Sequence, residues 1–265
     1  MNQTPSRPPS HDQKVDSQFG AQAQAYIDSA VHAGGDDLDA VEALAADRQP
    51  AHAVDLGTGG GHVAWRLARH ARRVSAIDLS PAMVAAVESA AAQRGLGNIT
   101  GVVAPAERIP LDDGSTDLLA CRFSTHHWRD VDAGLREARR ILQPGATAIF
   151  IDVVSPGYAP FDTHLQALEL LRDPSHVRNY TPAEWASALA RAGFRLRATQ
   201  TRRLRMDYAS WVDRMRTPEV HRAAILSLQQ HAAAETARYF AIEANGSFTL
   251  DTLQLEVTAC RARSA

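Results

Sequence analysis

One stretch constrains this chain more than any other: Val54-Asp55-Leu56-Gly57-Thr58-Gly59-Gly60-Gly61, an apolar run that passes into four glycines within five positions. Strand-like residues up to Leu56 and helix-like spacing from Val63 make it a turn from a strand into a helix. Glycine at positions 57 and 59 removes the Cβ atoms that would keep a nucleotide-sized ligand off the backbone. The helix that follows presents unpaired N–H groups in its first turn. An ordinary connecting turn does not need this many glycines, so the loop reads as a ligand cradle at the end of a buried strand.

The remaining pattern supplies a sheet for that strand. Apolar runs at 51–56, 73–77, 99–103, 118–122 and 146–154 alternate with amphipathic stretches at 63–70, 81–94 and 132–142, which predicts a parallel sheet covered on both faces. Ser80 as N-cap with Pro81 in the first turn opens one helix and Gly95 closes it; Gln143-Pro144-Gly145 closes another. Beyond Ser155-Pro156-Gly157 the spacing predicts helices at 161–171 and 182–192, a strand at 194–201, a helical segment at 207–242 and a last strand at 253–260. Ahead of the sheet, Tyr26, Ile27, Val31, Leu38, Val41 and Leu44 recur at helical spacing around Gly34-Gly35, predicting two helices, the second capped by Asp36. Residues 1–14, with three prolines and no apolar segment, read as a disordered arm rather than a signal peptide.

Composition excludes several classes of function. Lys plus Arg at 28 against Asp plus Glu at 30 leaves a net charge of −2, so no positive field draws in a nucleic-acid backbone. Two isolated cysteines, Cys121 and Cys260, make neither a zinc cluster nor a disulfide framework, and no metal is expected. No stretch approaches the ~18 uninterrupted apolar residues of a membrane span. The expectation is a cytoplasmic protein with a small-molecule partner; nothing in the sequence sets its oligomeric state.

Two ligand classes compete for the glycine loop. A dinucleotide would seat its pyrophosphate on the helix N-terminus, as in Gly-x-Gly-x-x-Gly, but the sixth position here is His62. Asp55 is the stronger objection, because a carboxylate ~4 Å from a phosphate charge repels it by about 4 kcal/mol at an effective dielectric near 20. S-Adenosylmethionine carries an ammonium and a sulfonium and no phosphate, so the same carboxylate helps. Asp78, at the end of the next strand, is placed to accept hydrogen bonds from both ribose hydroxyls, with Ser80 expected to cap the helix and leave Asp78 free. Met83, one turn into that helix, is placed to pack on an adenine.

These segments, with Asp78-Leu79-Ser80, Ala106-Glu107-Arg108-Ile109-Pro110-Leu111 and Gln143-Pro144-Gly145, resemble the class I S-adenosylmethionine-dependent methyltransferases of the methyltransferase domain 11 type. Within that family the chain is most similar to relatives of the quinone-biosynthesis C-methyltransferases. Arg122-Phe123-Ser124-Thr125-His126-His127-Trp128 and Arg172-Asp173-Pro174-Ser175-His176-Val177-Arg178-Asn179-Tyr180 resemble an uncharacterised bacterial branch of it. The resemblance implies S-adenosylmethionine as cofactor, S-adenosylhomocysteine as product and a small-molecule methyl acceptor. It implies that Asp55, Gly57, Thr58 and Gly59 hold the methionine part, Asp78 and Leu79 the ribose, and Ala106 with Glu107 the adenine edge, Arg122 completing the set. Pro105 stands where many members carry an acid, so adenine N6 needs another acceptor. The fold expected is α/β: a Rossmann-like, doubly wound seven-stranded sheet whose last strand is antiparallel, with N-terminal helices and a helical insertion before that strand. Residues 15–48 would form a helical cap, 49–155 the cofactor-binding core, and 156–265 the rest of the same domain with a helical substrate lid.

Methyl transfer relies chiefly on alignment, but an acidic nucleophile gains from a base near neutral pH. His126 and His127 follow the fourth strand at the carboxyl edge of the sheet, with His127 preferred as base. Arg172, His176, Arg178 and Tyr180 crowd one loop that would clamp an acidic group of the substrate. Phe19 and Tyr26, read as one helical face apart, would form a flap over the donor. Arg202, Arg203 and Arg205 read as edge-strand charges, and Trp211 with Met215 as core. Two other functions stay open: a non-catalytic binder of S-adenosylmethionine or its product, and, less favoured by Asp55 and His62, a nicotinamide-dependent oxidoreductase.

Overall fold

The computed structural model describes residues 8–20, 22–27 and 34–260. Strands β1 (His52–Leu56), β2 (Arg73–Asp78), β3 (Ile99–Val103), β4 (Thr116–Arg122), β5 (Leu142–Val154), β6 (Phe194–Met206) and β7 (Phe248–Ala259) form one sheet in the order β3-β2-β1-β4-β5-β7-β6. The first five are parallel to their neighbours among themselves, and β7 is antiparallel to both β5 and β6. This is the seven-stranded, doubly wound α/β sheet that the alternating pattern predicts.

Side-chain alternation along the central strands explains why helices cover both faces. Val54, Leu119 and Phe150 enter one core with Leu135 and Trp185, while their neighbours Ala53, Leu118 and Ile149 enter another with Leu38 and Leu67. Each large apolar side chain so buried contributes about 1.5–3 kcal/mol. The first core is closed by α6 (Val131–Ile141) and α8 (Pro182–Arg191), the second by α3 (Asp36–Arg48) and α4 (His62–Ala68). A third core joins α7 (Ala159–Arg172) to α9 (Tyr208–Arg214), α10 (Glu219–Gln230) and α11 (Ala234–Tyr239) through Leu165, Leu168, Trp211, Ile225 and Phe240. Two more helices, α1 (His11–Gly20) and α2 (Ala23–Ile27), precede α3, and α5 (Pro81–Gln93) follows β2. Strand order reverses between β1 and β4, so a crevice opens at their carboxyl ends, where Asp55, Asp78 and Arg122 stand.

The structure departs from the sequence pattern in several places, among them β6, which runs on to Met206 rather than 201, and β7, which begins at Phe248 rather than 253. α1 begins at His11, inside the stretch expected to be a disordered arm; residues 1–7 and Val31 lie outside the described residues. Gly35, at φ 125°, takes the N-cap position expected for Asp36, which becomes the first helical residue. β5 starts at Leu142 rather than 146, because Leu142 already pairs with Thr116 ahead of a register shift. The helical segment 207–242 is three helices, with Pro218 and Ala233 as the N-cap residues of the second and third. Among the described residues no helix is long and apolar enough to cross a membrane.

The start of α8 is secured by a reciprocal cap: Glu184 N–H donates to the Thr181 hydroxyl, and Thr181 N–H donates to the Glu184 carboxylate. Thr181→Ala is expected to lower stability by about 1 kcal/mol, read from the midpoint of urea unfolding, and to leave cofactor affinity unchanged.

Candidate functional site

The glycine loop is anchored before any ligand arrives. Gly57 and Thr58 N–H both donate to the Ile77 carbonyl, at 2.9 and 2.8 Å, which pins the end of β1 to the end of β2. Gly57 has φ 75°, and a Cβ there would strike the Ser124 side chain. At Gly60 a Cβ would lie 2.5 Å from the Tyr26 carbonyl oxygen, so α2 rests directly on the loop. His62, where a dinucleotide fingerprint has glycine, bonds that same carbonyl through Nε2 at 3.0 Å. It holds the N-terminal helices in place rather than opening a path for pyrophosphate.

Asp78 spans the gap between the two strand ends. One carboxylate oxygen accepts from Gly59 N–H and the other from Ser80 N–H, each at 2.9 Å. Ser80 holds the N-cap position of α5 as expected, but its side chain makes no cap bond and its buried Oγ has no hydrogen-bond partner among the described residues; the expectation that Asp78 is left free is corrected. Burial pushes the Asp78 carboxyl up, and bonds from the Ser80, Gly59 and Leu79 N–H groups oppose the shift. Asp55 is 1% exposed; its Oδ2 accepts from the Thr58 hydroxyl at 2.6 Å and from Ala64 N–H at 2.9 Å. Desolvation wins there, lifting its carboxyl to about 7.

Both carboxylates line a cleft of about 1020 Å³, counting its open mouth. All ten residues expected to hold the cofactor meet on its wall: Asp55, Gly57, Thr58, Gly59, Asp78, Leu79, Met83, Ala106, Glu107 and Arg122. Leu79, Met83, Ala104, Pro105 and Ala106 line the same cleft and give it an apolar stretch of wall. Arg122 is tied at 2.5 Å to Asp37 of α3, a partner that the sequence did not suggest. The donor set suits S-adenosylmethionine: one carboxylate and neighbouring backbone for the ribose, a buried carboxylate for the ammonium, and apolar side chains for the adenine.

A second cavity, about 620 Å³ with its opening, shares Phe19, Tyr26, Phe123 and His127 with the first. Phe19 and Tyr26 belong to separate helices rather than one face; their rings meet edge-on at 5.5 Å, and Phe19 meets His127 at 4.9 Å. His126 lines the second cavity only. Its Nδ1 lies 2.6 Å from Asp152, and Nε2 has no hydrogen-bond partner among the described residues. Burial works against a charge on His126, but Asp152 prevails and holds it above its ordinary value. His127 goes the other way: burial and the His126 charge push it down to about 3, despite Asp173 Oδ2 at 3.8 Å. The surroundings of His127 therefore do not favour the preference for it as base, since burial and the His126 charge work against its taking up a proton.

The loop expected to clamp the substrate comes apart in space. Arg172 lines the second cavity. His176 sits behind His126, rings 5.8 Å apart, with Nε2 on Gln166, and burial with the His126 charge pushes it to about 2. Arg178 turns to Glu184 and Asp162, and Tyr180 packs near Trp185; neither lines a cavity described here. Asp152, Glu169 and Arg214 were missed. The signal for Asp152 was its single carboxylate inside the run Ile149-Phe150-Ile151-Asp152-Val153-Val154. Among the described residues no group of three or more His, Cys, Asp or Glu side chains is placed to hold a metal ion.

Residues 54–150 match the methyltransferase domain family model. The uncharacterized protein YafE of Escherichia coli strain K12 is 42% identical over 200 residues, 76% of this chain and 97% of YafE. The uncharacterized methyltransferase YcgJ of Bacillus subtilis strain 168 is 30% identical over 227 residues, 86% of this chain and 90% of YcgJ. The crystal structure of YcgJ superposes with a TM-score of 0.82 at 28% identity, covering 86% of this chain and 99% of that one. The ubiquinone/menaquinone biosynthesis C-methyltransferase UbiE of Rubrivivax gelatinosus is 34% identical over 115 residues, 43% of this chain and 44% of UbiE. The chain belongs to the class I S-adenosylmethionine-dependent methyltransferase family.

The two carboxylates give two predictions for S-adenosylhomocysteine binding. Below about pH 7 Asp55 holds a proton in the free protein; the ligand ammonium favours the carboxylate, so binding releases that proton and affinity falls with falling pH. Calorimetry at pH 6 in buffers of different ionisation enthalpy should show the release, and Asp55→Asn should abolish it. Asp78→Ala should weaken binding by about 1.5–3 kcal/mol, the worth of hydrogen bonds to a charged acceptor, and Asp78→Asn by less. Unchanged affinity in a folded Asp78→Ala protein contradicts the ribose role.

Proposed function

We propose that the protein transfers a methyl group from S-adenosylmethionine to a small molecule held in the second cavity. The observation that carries this reading is the pair of adjoining cavities with common walls. One is lined by the buried Asp55, the half-buried Asp78 and apolar side chains, the other by aromatic side chains and by His126, which is paired with Asp152. In the first, Asp55 meets the ammonium, Asp78 the ribose, Gly57, Thr58 and Gly59 the methionine chain, and Leu79, Met83, Ala106 and Glu107 the adenine, with Arg122 closing the methionine end. Bound there, the cofactor supplies an electrophilic methyl group on a sulfonium.

His126 is the proposed base. Asp152 fixes the proton on Nδ1, which leaves Nε2 to take the proton from an oxygen, nitrogen or acidic carbon as that atom bonds to the methyl group. Neutral His127, set between the cavities, supplies a wall that does not repel a cationic sulfur. Phe19 and Tyr26 exclude water from the junction. In this reading α1 to α3 are a cap and α9 to α11 a cover on the substrate side of one domain. The family match ends at residue 150, whereas Arg172, Trp211, Arg214 and Met215 of the second cavity lie beyond it, so acceptor choice resides in parts outside the shared core.

The test supplies tritium-labelled methyl donor with cell extract divided into an ultrafiltrate and retained macromolecules. Label is expected in the ultrafiltrate alone. Label only in macromolecules contradicts a small-molecule acceptor, and no label despite tight S-adenosylhomocysteine binding favours a non-catalytic binder. Because Asp152 raises His126, transfer should increase with pH as His126 loses its proton, and Asp152→Asn should move that rise to lower pH.

A further inference from the structure

One charge around the second cavity lacks a counterpart. Arg214, in the last turn of α9, lines the cavity near Leu204, Met206, Trp211 and Met215. It is half-buried, and among the described residues its guanidinium makes no hydrogen bond and no ion pair. Burial, with the neighbouring Arg172 charge, lowers its pKa from the ordinary arginine value. The other charged groups on this wall have protein neighbours, although Asp173 Oδ2 has no hydrogen-bond partner among the described residues. Arg172 donates to the Trp211 carbonyl at 3.0 Å, lies 3.5 Å from Glu169 and sits 4.8 Å over the Trp211 ring. Asp152 is bound to His126, and Asp173 accepts from Ser175 and faces His127. A guanidinium drawn half out of water and given no protein acceptor gains from one supplied by a molecule that enters the cavity, and its fork of N–H donors matches a carboxylate.

We propose that the methyl acceptor carries a single carboxylate, held by Arg214, on an apolar body that lies along Phe19, Phe123 and Trp211 and reaches His126. Arg214 is thus a specificity-determining residue, and the acidic group anticipated from the 172–180 loop is met by α9 instead. One negative charge is the limit: Glu169 and Asp173 face the same space, and a dianionic phosphate would meet their repulsion without a second uncommitted cation. Apolar walls from Val153, Leu204, Met206 and Met215 favour a hydrocarbon or aryl body over a sugar. This inference rests on the second cavity being the acceptor site.

Matched phenylalkanoates and phenylalkanamides, from phenylacetate to phenyloctanoate, test it by calorimetry against the full-length protein saturated with S-adenosylhomocysteine. At least one carboxylate is expected to bind about tenfold or more tightly than its amide, the effect of one charge-assisted bidentate contact. Arg214→Gln should shrink that preference to about twofold or less while amide affinity stays, and Arg214→Lys should keep part of it. Equal affinities in the wild type, no binding by any carboxylate, or a preference that survives Arg214→Gln overturns the proposal. Should Arg214→Gln fail to fold, Arg214→Lys decides: a reduced preference supports the proposal and an undiminished one overturns it. Failure of S-adenosylhomocysteine itself to bind overturns the methyl-transfer reading and this inference together, whereas normal binding without carboxylate preference overturns this inference alone.

Discussion

The hydrogen bond from Gly59 N–H to the Asp78 carboxylate is the contact on which the cofactor half depends. It joins the loop after β1 to the end of β2, and the second Asp78 oxygen joins the same point to α5 through Ser80. A buried carboxylate tolerates its position only when N–H donors replace water, and the glycine loop and helix start supply them. The same requirement governs Asp55, satisfied by Thr58 and by Ala64 in the first turns of α4. Burial still leaves both acids less acidic than in water, so the site keeps an electrostatic demand that a cationic, hydroxyl-bearing ligand meets.

The N-terminal helices turn this strand-end crevice into an enclosed site. Gly60 lets the Tyr26 carbonyl approach the loop, His62 bonds it, and Tyr26 Oη reaches the Met215 sulfur at 3.2 Å on the opposite wall. His11 bonds the His127 carbonyl at 2.8 Å, so α1 is also fixed to the segment that carries both catalytic candidates. Phe19 and His127 consequently stand where one cavity gives way to the other. Burial, reinforced by repulsion from His126 when it is paired with Asp152, works against a proton on its neighbours His127 and His176.

The sheet and the cofactor wall were legible in the sequence because they rest on local signals. Short apolar runs, Ser80-Pro81, Gly95 and the glycine loop specify backbone conformation within a few residues, and strand order then brings Asp55, Asp78 and Ala106 together. The acceptor side was not legible, since its wall is assembled from α1, α2, the residues just after β4, β5, α7, β6 and α9, which are distant in the chain. Spacing in the 172–180 loop suggested a cluster, yet the backbone there sends Arg172 inward and Arg178 outward. The roles of His126 and His127 depended on Asp152, whose proximity comes from the pairing of β4 with β5. Asp78 was read correctly as a strand-end acid and incorrectly as free, because the side chain of Ser80 turned out to be buried without a cap bond.

The most direct measurement is a crystal structure of the protein with S-adenosylhomocysteine. The account predicts the ribose hydroxyls within hydrogen-bond distance of Asp78, the ammonium beside Asp55, the adenine between Met83 and Ala106, and the sulfur directed toward the second cavity and His126. A ribose turned away from Asp78, or a sulfur directed away from that cavity, would contradict it.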